Sequence, residues 1–340
     1  MTALRALVLV TGCACAQAWG VPFDRAYLTA ATNSMVKVEV VRADGGYSLG
    51  AGVAIDGDRV VTACHVVRKA SAVAVLHAGE RWSATGRVAA GQRDMCVLMV
   101  PRLKATPAAL RDTAQLAIGE DVAAIGFGPG GGVFLSRGAV SRLHRYDSGL
   151  VVQGSAAFTS GASGGGLFDA DGRLVGVLMF RMRGAGAQFF ALPVEWIADL
   201  LESGAEYEPV DAHIAQDPFW SLPPDRLPYF LRANMLETEK RWADLWALAA
   251  RWQADEPDNG EPAYLRGEVD TVRNRVGSAL ADFQDAVARD PTHALAWSEV
   301  VRASLRAQHP DLARRAYSRL TLLSAVLARR LADEYPGVFR

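Results

Sequence analysis

The chain changes its hydrophobic pattern once, near residue 192. Before that point, short apolar segments rich in β-branched residues are separated by Gly and Asp turns, a pattern typical of a β-sandwich or β-barrel. The predicted strands include Val36–Val41, Gly52–Ile55, Arg59–Cys64, Ala72–Leu76, Cys96–Val100, Val122–Phe127, Val133–Ser136, Gly149–Gln153 and Arg173–Phe180.

After that point the pattern predicts helices. Pro193–Ser203 has apolar residues at helical spacing between a leading proline and a trailing Gly204, which predicts one helix closing the β-rich half. Residues 205–228 contain five prolines and predict a linker or an irregular wrapped segment. From Asp225 onward the spacing is helical throughout.

The helical part repeats with a period of 34 residues. The clearest unit carries Gly267, Ala279, Phe283, Ala286 and Pro291, and weaker units lie on either side of it. Alternating small and large residues at these spacings let paired helices pack closely. The pattern resembles the tetratricopeptide repeat, and an irregular helical bundle is the alternative interpretation.

The N-terminus has the pattern of an export signal. A single positive charge at Arg5 precedes an apolar run that is too short to span a bilayer, and a small-x-small cleavage pattern ends at Ala18. We therefore predict a signal peptide at residues 1–18. A competing interpretation is a loose lipoprotein pattern with lipid attached at Cys13. No later segment is predicted to span a membrane.

Composition narrows the function classes. The chain has 340 residues, enough for about two domains, and its 36 Lys and Arg nearly balance 37 Asp and Glu. Nucleic acid is therefore not an expected partner, because phosphate binding needs a concentrated positive surface. Histidines without ligand spacing predict no metal site. The absence of a P-loop or dinucleotide fingerprint predicts no cofactor.

Three residues of the β-rich half have the chemistry of acyl transfer. His65 ends one apolar strand, Asp94 precedes another, and Ser163 lies in a glycine-rich turn. Hydrolysis by a serine needs a base for the Oγ proton, an acid that holds the base's tautomer, and backbone N–H groups aimed at the oxyanion. Each residue alone has an ordinary structural interpretation, but the three together in this order predict a catalytic triad.

These residues lie in segments that resemble the trypsin-like serine peptidases, and among them the HtrA (Deg) group of bacterial envelope proteases. The likeness is carried by Gly50–Ile55, Val60–Val67, Leu116–Val122, Gln153–Gly165, Asp171–Val177 and Phe190–Pro193. It implies two six-stranded β-barrels with the site in the cleft between them. His65 would be the general base, Asp94 its orienting acid and Ser163 the nucleophile. The N–H groups of Gly161 and Ser163 would form the oxyanion hole.

The sequence departs from the family pattern in three ways. Thr159, Ser160 and Ala162 replace the usual residues of the nucleophile loop, and Cys64 occupies the small-residue position before His65. No substrate-gripping PDZ pattern follows the protease region. Helices follow instead, and we expect them to recruit a substrate or protein partner. The alternative is a brace packed rigidly on the protease.

Two further expectations concern specificity and oxidation. In trypsin-like folds the residue six before the nucleophile, here Ala157, lines the base of the primary pocket. No acidic side chain occurs from Gly154 to Ser163, so we expect apolar or small residues before the scissile bond. Cys64 directly precedes His65 and Cys96 lies two residues after Asp94, so a triad would bring their backbones close. Export favours oxidation, and we expect a disulfide bond between them, with two buried free thiols as the alternative.

The sequence thus predicts an exported or periplasmic serine endopeptidase of two domains. A signal peptide (1–18) precedes a trypsin-like serine protease domain (19–204), a Pro-rich linker (205–225) and a helical repeat domain (226–340). Protein or peptide substrates are the expected partners. The alternative function is a catalytically idle interaction or chaperone-like protein with a protease fold.

Overall fold

The computed structural model describes residues 25–128, 130–182 and 188–339. The predicted signal peptide (1–18) and the alternative lipid site at Cys13 lie outside these residues. Within the described part of the chain, no helix combines the length and apolar character needed to cross a bilayer.

The first β-unit is a seven-stranded antiparallel sheet that follows helix α1 (Arg25–Ser34). Its order is β5-β4-β1-β2-β3-β7-β6, and the short helix α2 (Cys64–Val67) lies between β3 and β4. The strands are β1 (Met35–Arg42), β2 (Tyr47–Ala54), β3 (Arg59–Ala63), β4 (Ala70–His77), β5 (Glu80–Ser83), β6 (Gly86–Ala90) and β7 (Met95–Met99). In β1 every second residue from Val36 to Val40 is buried, as expected of a strand with one covered face.

The expectation of a closed six-stranded barrel was wrong for this unit. Closure would require β5 and β6 to pair, but among the described residues the outer edge of β6 is used by another segment. The backbone groups of Arg87 exchange two hydrogen bonds with those of Glu208, at 2.8 and 2.9 Å. A strand edge that already pairs with a later segment leaves no row of free N–H and C=O groups for closure.

The second β-unit is a closed six-stranded barrel, as the family resemblance implied. Its order is β10-β13-β12-β11-β8-β9. The strands are β8 (Asp121–Phe127), β9 (Val133–Tyr146), β10 (Gly149–Gly154), β11 (Gly166–Asp169), β12 (Leu174–Met182) and β13 (Gln188–Pro193). The predicted closing helix follows as α3 (Glu195–Glu202), which buries Trp196, Ile197 and Leu200.

The proline-rich segment 205–228 wraps around the first sheet. Its anchor is the side chain of Arg87, which is 1% exposed and donates hydrogen bonds to the carbonyl oxygens of Val67, Val210 and Ala212. Burial lowers the pKa of this guanidinium. Because burying a cation without acceptors is costly, these three contacts hold the segment against the sheet. Of the two expected forms, the wrapped segment is the one observed.

The rest of the chain forms seven helices within the described residues. They are α4 (Tyr229–Thr238), α5 (Trp242–Asp255), α6 (Glu261–Val272), α7 (Val276–Arg289), α8 (Ala294–Arg306), α9 (Pro310–Leu323) and α10 (Ala325–Glu334). Each helix packs against the next one along the chain. Short connections between antiparallel neighbours favour this arrangement.

The helical domain is packed on the second barrel by its first and last helices. The ring of Phe230 in α4 stacks on His144 of β9 at 4.7 Å and lies 6.5 Å from Phe190 of β13. At the other end, Ser324 donates a hydrogen bond of 2.7 Å from Oγ to the carbonyl of Ile118. A continuous cluster of buried side chains extends from the barrel into the helices.

A buried ionic cluster lies between the same two parts. Arg142 of β9 faces three carboxylates of the helical domain: Glu237 at 2.8 Å, Glu268 at 3.4 Å and Glu261 at 3.5 Å. Burial raises the pKa of Glu237 to about 7, although the Arg142 charge opposes that rise. Burial also acts to raise the pKa of Glu261, but its hydrogen bond to His293 and neighbouring positive charges hold it at about 2. The cluster therefore holds the helices against the barrel. The pKa values of Glu237 and Glu261 depend on this contact.

A disulfide bond joins Cys64 and Cys96, so the structure has the first of the two arrangements left open by the sequence. Their Cα atoms are 4.9 Å apart, and both side chains are fully buried. Cys64 follows strand β3 and Cys96 lies in β7, its antiparallel neighbour. The bond therefore joins helix α2, which carries the candidate histidine, to strand β7, which directly follows the candidate aspartate.

We expect the Cys64→Ala, Cys96→Ala double variant to lose about 3–4 kcal/mol of unfolding free energy, because the bond closes a loop of 32 residues in the unfolded chain. Urea unfolding measures this loss. Reductant should destabilise the wild-type protein by a similar amount and leave the double variant unchanged. Alkylation of both cysteines in unreduced, denatured protein would contradict the bond.

We expect Phe230→Ala to destabilise the protease and helical domains together, because its ring belongs to the core they share. Truncating a buried phenylalanine costs about 3–5 kcal/mol. Calorimetry should show one transition for the wild-type protein and one transition at lower temperature for the variant. Leu322→Ala, at a side chain 78% exposed, is the control and should change stability little. Two separate transitions, with only the later helices affected, would contradict a shared core.

Candidate active site

His65 lies where the first sheet faces the barrel. Strand β3 ends at Ala63, and the short helix α2 carries His65 as its second residue. The side chain is 28% exposed, so part of the imidazole is accessible and could exchange protons with a bound molecule.

Asp94 holds His65 by both its oxygens. Its Oδ2 lies 2.6 Å from Nδ1 of the imidazole, and its Oδ1 accepts a 2.8 Å hydrogen bond from the backbone N–H of the same histidine. The aspartate is fully buried and has a φ of +58°, a left-handed conformation in which Asp is enriched. A carboxylate at Nδ1 keeps the proton on that nitrogen and leaves Nε2 free to accept one.

Ser163 lies on the opposite side of the cleft, in the turn between β10 and β11. Its backbone carbonyl accepts a 2.9 Å hydrogen bond from Ala51 of the first sheet, so the turn contacts both β-units. Its Oγ donates to the carbonyl of Met179 in β12 at 3.2 Å. Among the described residues this oxygen makes no hydrogen bond with His65.

The glycines around Ser163 are required by close backbone approaches. Gly164 has a φ of +83°, and a Cβ there would lie 2.2 Å from the carbonyl oxygen of Ala51. Gly161 has a φ of +96°, and a Cβ there would lie 2.9 Å from the carbonyl oxygen of Phe127. Within the described residues the amides of Gly161 and Ser163 have no acceptor. Both donors are therefore available to a ligand oxygen.

Ala157, the predicted base of the specificity pocket, is exposed in this structure. Its backbone N–H donates a 3.0 Å hydrogen bond to Oγ of Ser136 in β9, and its neighbours Ala156 and Phe158 are buried. Residues 183–187, between β12 and β13, lie outside the described residues. The role of Ala157 stays a prediction.

Trp220 is a site residue that the sequence did not predict. It lies in the wrapped segment, and its indole Nε1 donates a 3.0 Å hydrogen bond to Oδ2 of Asp94. Its ring meets the imidazole of His65 edge-on, with the centroids 5.4 Å apart. The available signal was the adjacent pair Phe219 and Trp220 in a segment otherwise typical of a linker, because large aromatic residues are rarely left in solvent.

The described residues contain no group of three or more His, Cys, Asp or Glu arranged to hold a metal ion. The cleft holds a paired imidazole and carboxylate, and a serine with two backbone amides beside it that have no acceptor among the described residues.

Comparisons with known proteins match the part of the chain that holds the cleft. Residues 50–177 match the family described as "Trypsin-like peptidase domain", a span that includes His65, Asp94 and Ser163. The Periplasmic serine endoprotease DegP of Escherichia coli (strain K12) is 32% identical over 174 residues, covering 47% of this chain and 36% of the relative. Protease Do-like 1, chloroplastic, of Arabidopsis thaliana is 31% identical over 157 residues, covering 42% of this chain and 36% of the relative.

The chain therefore spans little more than a third of the length of these relatives. Among solved structures, the active form of the Rv3671c protease from M. tuberculosis is similar, with a TM-score of 0.50 and 26% identity over 54% of this chain and 86% of that one. Residues 50–177 therefore match a trypsin-like peptidase domain and are similar to DegP/HtrA-type serine endoproteases, and helices follow this region in the structure.

Proposed function

We propose that the protein is a serine endopeptidase that hydrolyses peptide bonds with His65 as general base, Asp94 as its orienting acid and Ser163 as nucleophile. The observation that carries the proposal is the contact of both Asp94 oxygens with His65, inside the span that matches the peptidase family. The two free amides beside Ser163 add the electrostatic component that acyl transfer requires.

The proposed reaction follows from these positions. Ser163 Oγ attacks the carbonyl carbon of the scissile amide while its proton passes to Nε2 of His65. Asp94 remains ionised and stabilises the resulting imidazolium. The oxyanion accepts hydrogen bonds from the N–H groups of Gly161 and Ser163. The imidazolium then protonates the leaving amine, and a water activated by His65 releases the acyl group from Ser163.

One rearrangement is part of this proposal. Ser163 Oγ now donates to the Met179 carbonyl, so it must turn toward His65 before it can transfer its proton. Catalytic hydrogen bonds are often absent before substrate binds and form in the Michaelis complex. The alternative function, an idle interaction protein, gains less support because the base, acid, nucleophile and free amides are all retained.

We infer that the helical domain is similar to tetratricopeptide repeats and that it acts as a brace. Gly267 of α6 lies against Phe283 of α7 so closely that a Cβ would be 2.5 Å from the ring, and Ala279 and Ala286 are buried beside it. Such small-to-large packing between paired helices is what the repeat pattern predicts. The shared core with the barrel favours the brace over a freely moving recruitment domain, and a partner groove remains the second candidate.

We further propose that the protein acts in the periplasm after export. The support is the N-terminal signal pattern together with the periplasmic DegP relatives. The alternative lipid anchor at Cys13 gains no support from these relatives.

Replacing Ser163 by alanine should reduce the kcat/KM for a peptide substrate by at least about 10⁴-fold, because triad members act as a unit. His65→Ala should have a similar effect. Ser160→Ala removes a hydroxyl three residues away and is the matched control, which should retain activity. An organophosphate should label the wild-type protein and Ser160→Ala but not Ser163→Ala. Undiminished hydrolysis by Ser163→Ala would overturn the assignment.

The cleavage sites should have apolar or small residues before the scissile bond. A buried Lys or Arg side chain would find no carboxylate between Gly154 and Ser163, and an unpaired buried charge costs several kcal/mol. Mass spectrometry of a digested proteome-derived peptide library measures this preference. A profile dominated by Lys or Arg at that position would contradict the prediction.

A further inference from the structure

We propose that Trp220 is a positioning residue of the catalytic pair, supplied by the segment that follows the protease domain. It acts by holding the Asp94 carboxylate, and through it His65, in the orientation needed for proton transfer. The inference rests on the proposed endopeptidase function for its kinetic consequence. The contact itself is independent of that function.

The hydrogen bonds of Asp94 leave the carboxylate little freedom. Oδ1 accepts from the backbone N–H of His65 at 2.8 Å, whereas Oδ2 lies 2.6 Å from the imidazole Nδ1 and 3.0 Å from the indole Nε1 of Trp220. The carboxylate is fully buried, so each of these donors replaces water that the site excludes. Without the indole N–H, the carboxylate would keep its two hydrogen bonds to His65 but lose its third donor, so its orientation would be held less tightly.

The indole is itself held in one orientation. It stacks on Phe180 of β12, with centroids 5.4 Å apart and planes 23° apart, and Phe180 stacks in turn on Phe190 at 4.8 Å. It also meets the His65 ring at 86°. These two ring contacts hold the indole with its N–H directed at Asp94, as expected of a supporting residue rather than a space-filling one.

The neighbouring residue anchors Trp220 to the rest of the molecule. Phe219 is fully buried, and its N–H donates a 2.9 Å hydrogen bond to the carbonyl of Gln92, two residues before Asp94. Its ring lies 4.6 Å from Tyr146 of the barrel and 6.3 Å from Phe230 of α4. A line of contacts therefore connects the first helix of the helical domain, through Phe219 and Trp220, to the catalytic aspartate.

A kinetic test separates positioning from space filling. Trp220→Phe keeps an aromatic ring on Phe180 but removes the N–H donor. A hydrogen bond to a charged group contributes enough to predict a fall in kcat of about 10- to 100-fold, with KM changed less than about twofold. Trp246→Phe, at a side chain 41% exposed in α5, is the matched control and should leave kcat unchanged. An unchanged kcat in Trp220→Phe would overturn the proposal.

A spectroscopic test needs no peptidase activity. In the full-length Ser163→Ala protein, the proton between His65 Nδ1 and Asp94 should give a low-field NMR resonance, assigned by its loss in His65→Ala. Trp220→Phe should shift or broaden this resonance, and Trp246→Phe should not. An unshifted resonance would overturn the positioning role. A shifted resonance in a protein whose wild type cleaves no peptide would retain the role and reject the proposed function.

A third measurement leaves Trp220 intact, in case its replacement prevents folding. In ¹⁵N-labelled Ser163→Ala protein, Asp94→Asn weakens the acceptor of the indole N–H. The Nε1–H resonance of Trp220 should therefore move upfield, while that of Trp246 stays in place. An unmoved Trp220 resonance would overturn the contact on which the proposal depends.

Discussion

The rest of the structure depends on the hydrogen bonds that the buried carboxylate of Asp94 accepts. A fully buried anion is tolerated only where donors surround it, and here they come from His65 and from Trp220, 126 residues further along the chain. Strands β3 and β7 must pair in register to bring the first donor, and the disulfide bond between Cys64 and Cys96 secures that pairing. The wrapped segment 205–228 must dock on the first sheet to bring the second donor, the indole N–H of Trp220.

Docking of that segment also explains the architecture of the first sheet. Arg87 cannot be buried without acceptors, and the carbonyls of Val210 and Ala212 supply two of them. The same segment pairs with β6 through Glu208, which leaves the sheet open instead of closed. Phe219 of this segment packs near Phe230 in α4, with the ring centroids 6.3 Å apart. The helical domain, the barrel and the cleft therefore share one set of packed side chains. This shared packing supports the proposal that the helical domain acts as a brace.

The local pattern of the sequence was sufficient to predict some of the secondary-structure elements. The period-two alternation in β1 and the helix after Pro193 were both predicted correctly as elements, since each depends on neighbouring residues. Closure of the first sheet was predicted wrongly because it depends on which distant segment pairs with the outer edge of β6. The sequence could not distinguish a wrapped segment from a linker at residues 205–228. Proline content limits the conformation of the chain but does not specify what the chain packs against.

The sequence by itself determined the chemical groups of the candidate site and the strands and turns that carry them, because strand ends and glycine turns are properties of short stretches of chain. Only the tertiary structure decided which groups meet. It placed both Asp94 oxygens on His65, directed Ser163 Oγ to Met179, joined Cys64 to Cys96 and brought Trp220 to the aspartate. Contacts between residues far apart in the chain follow from the packing of whole elements, and no local pattern encodes that packing.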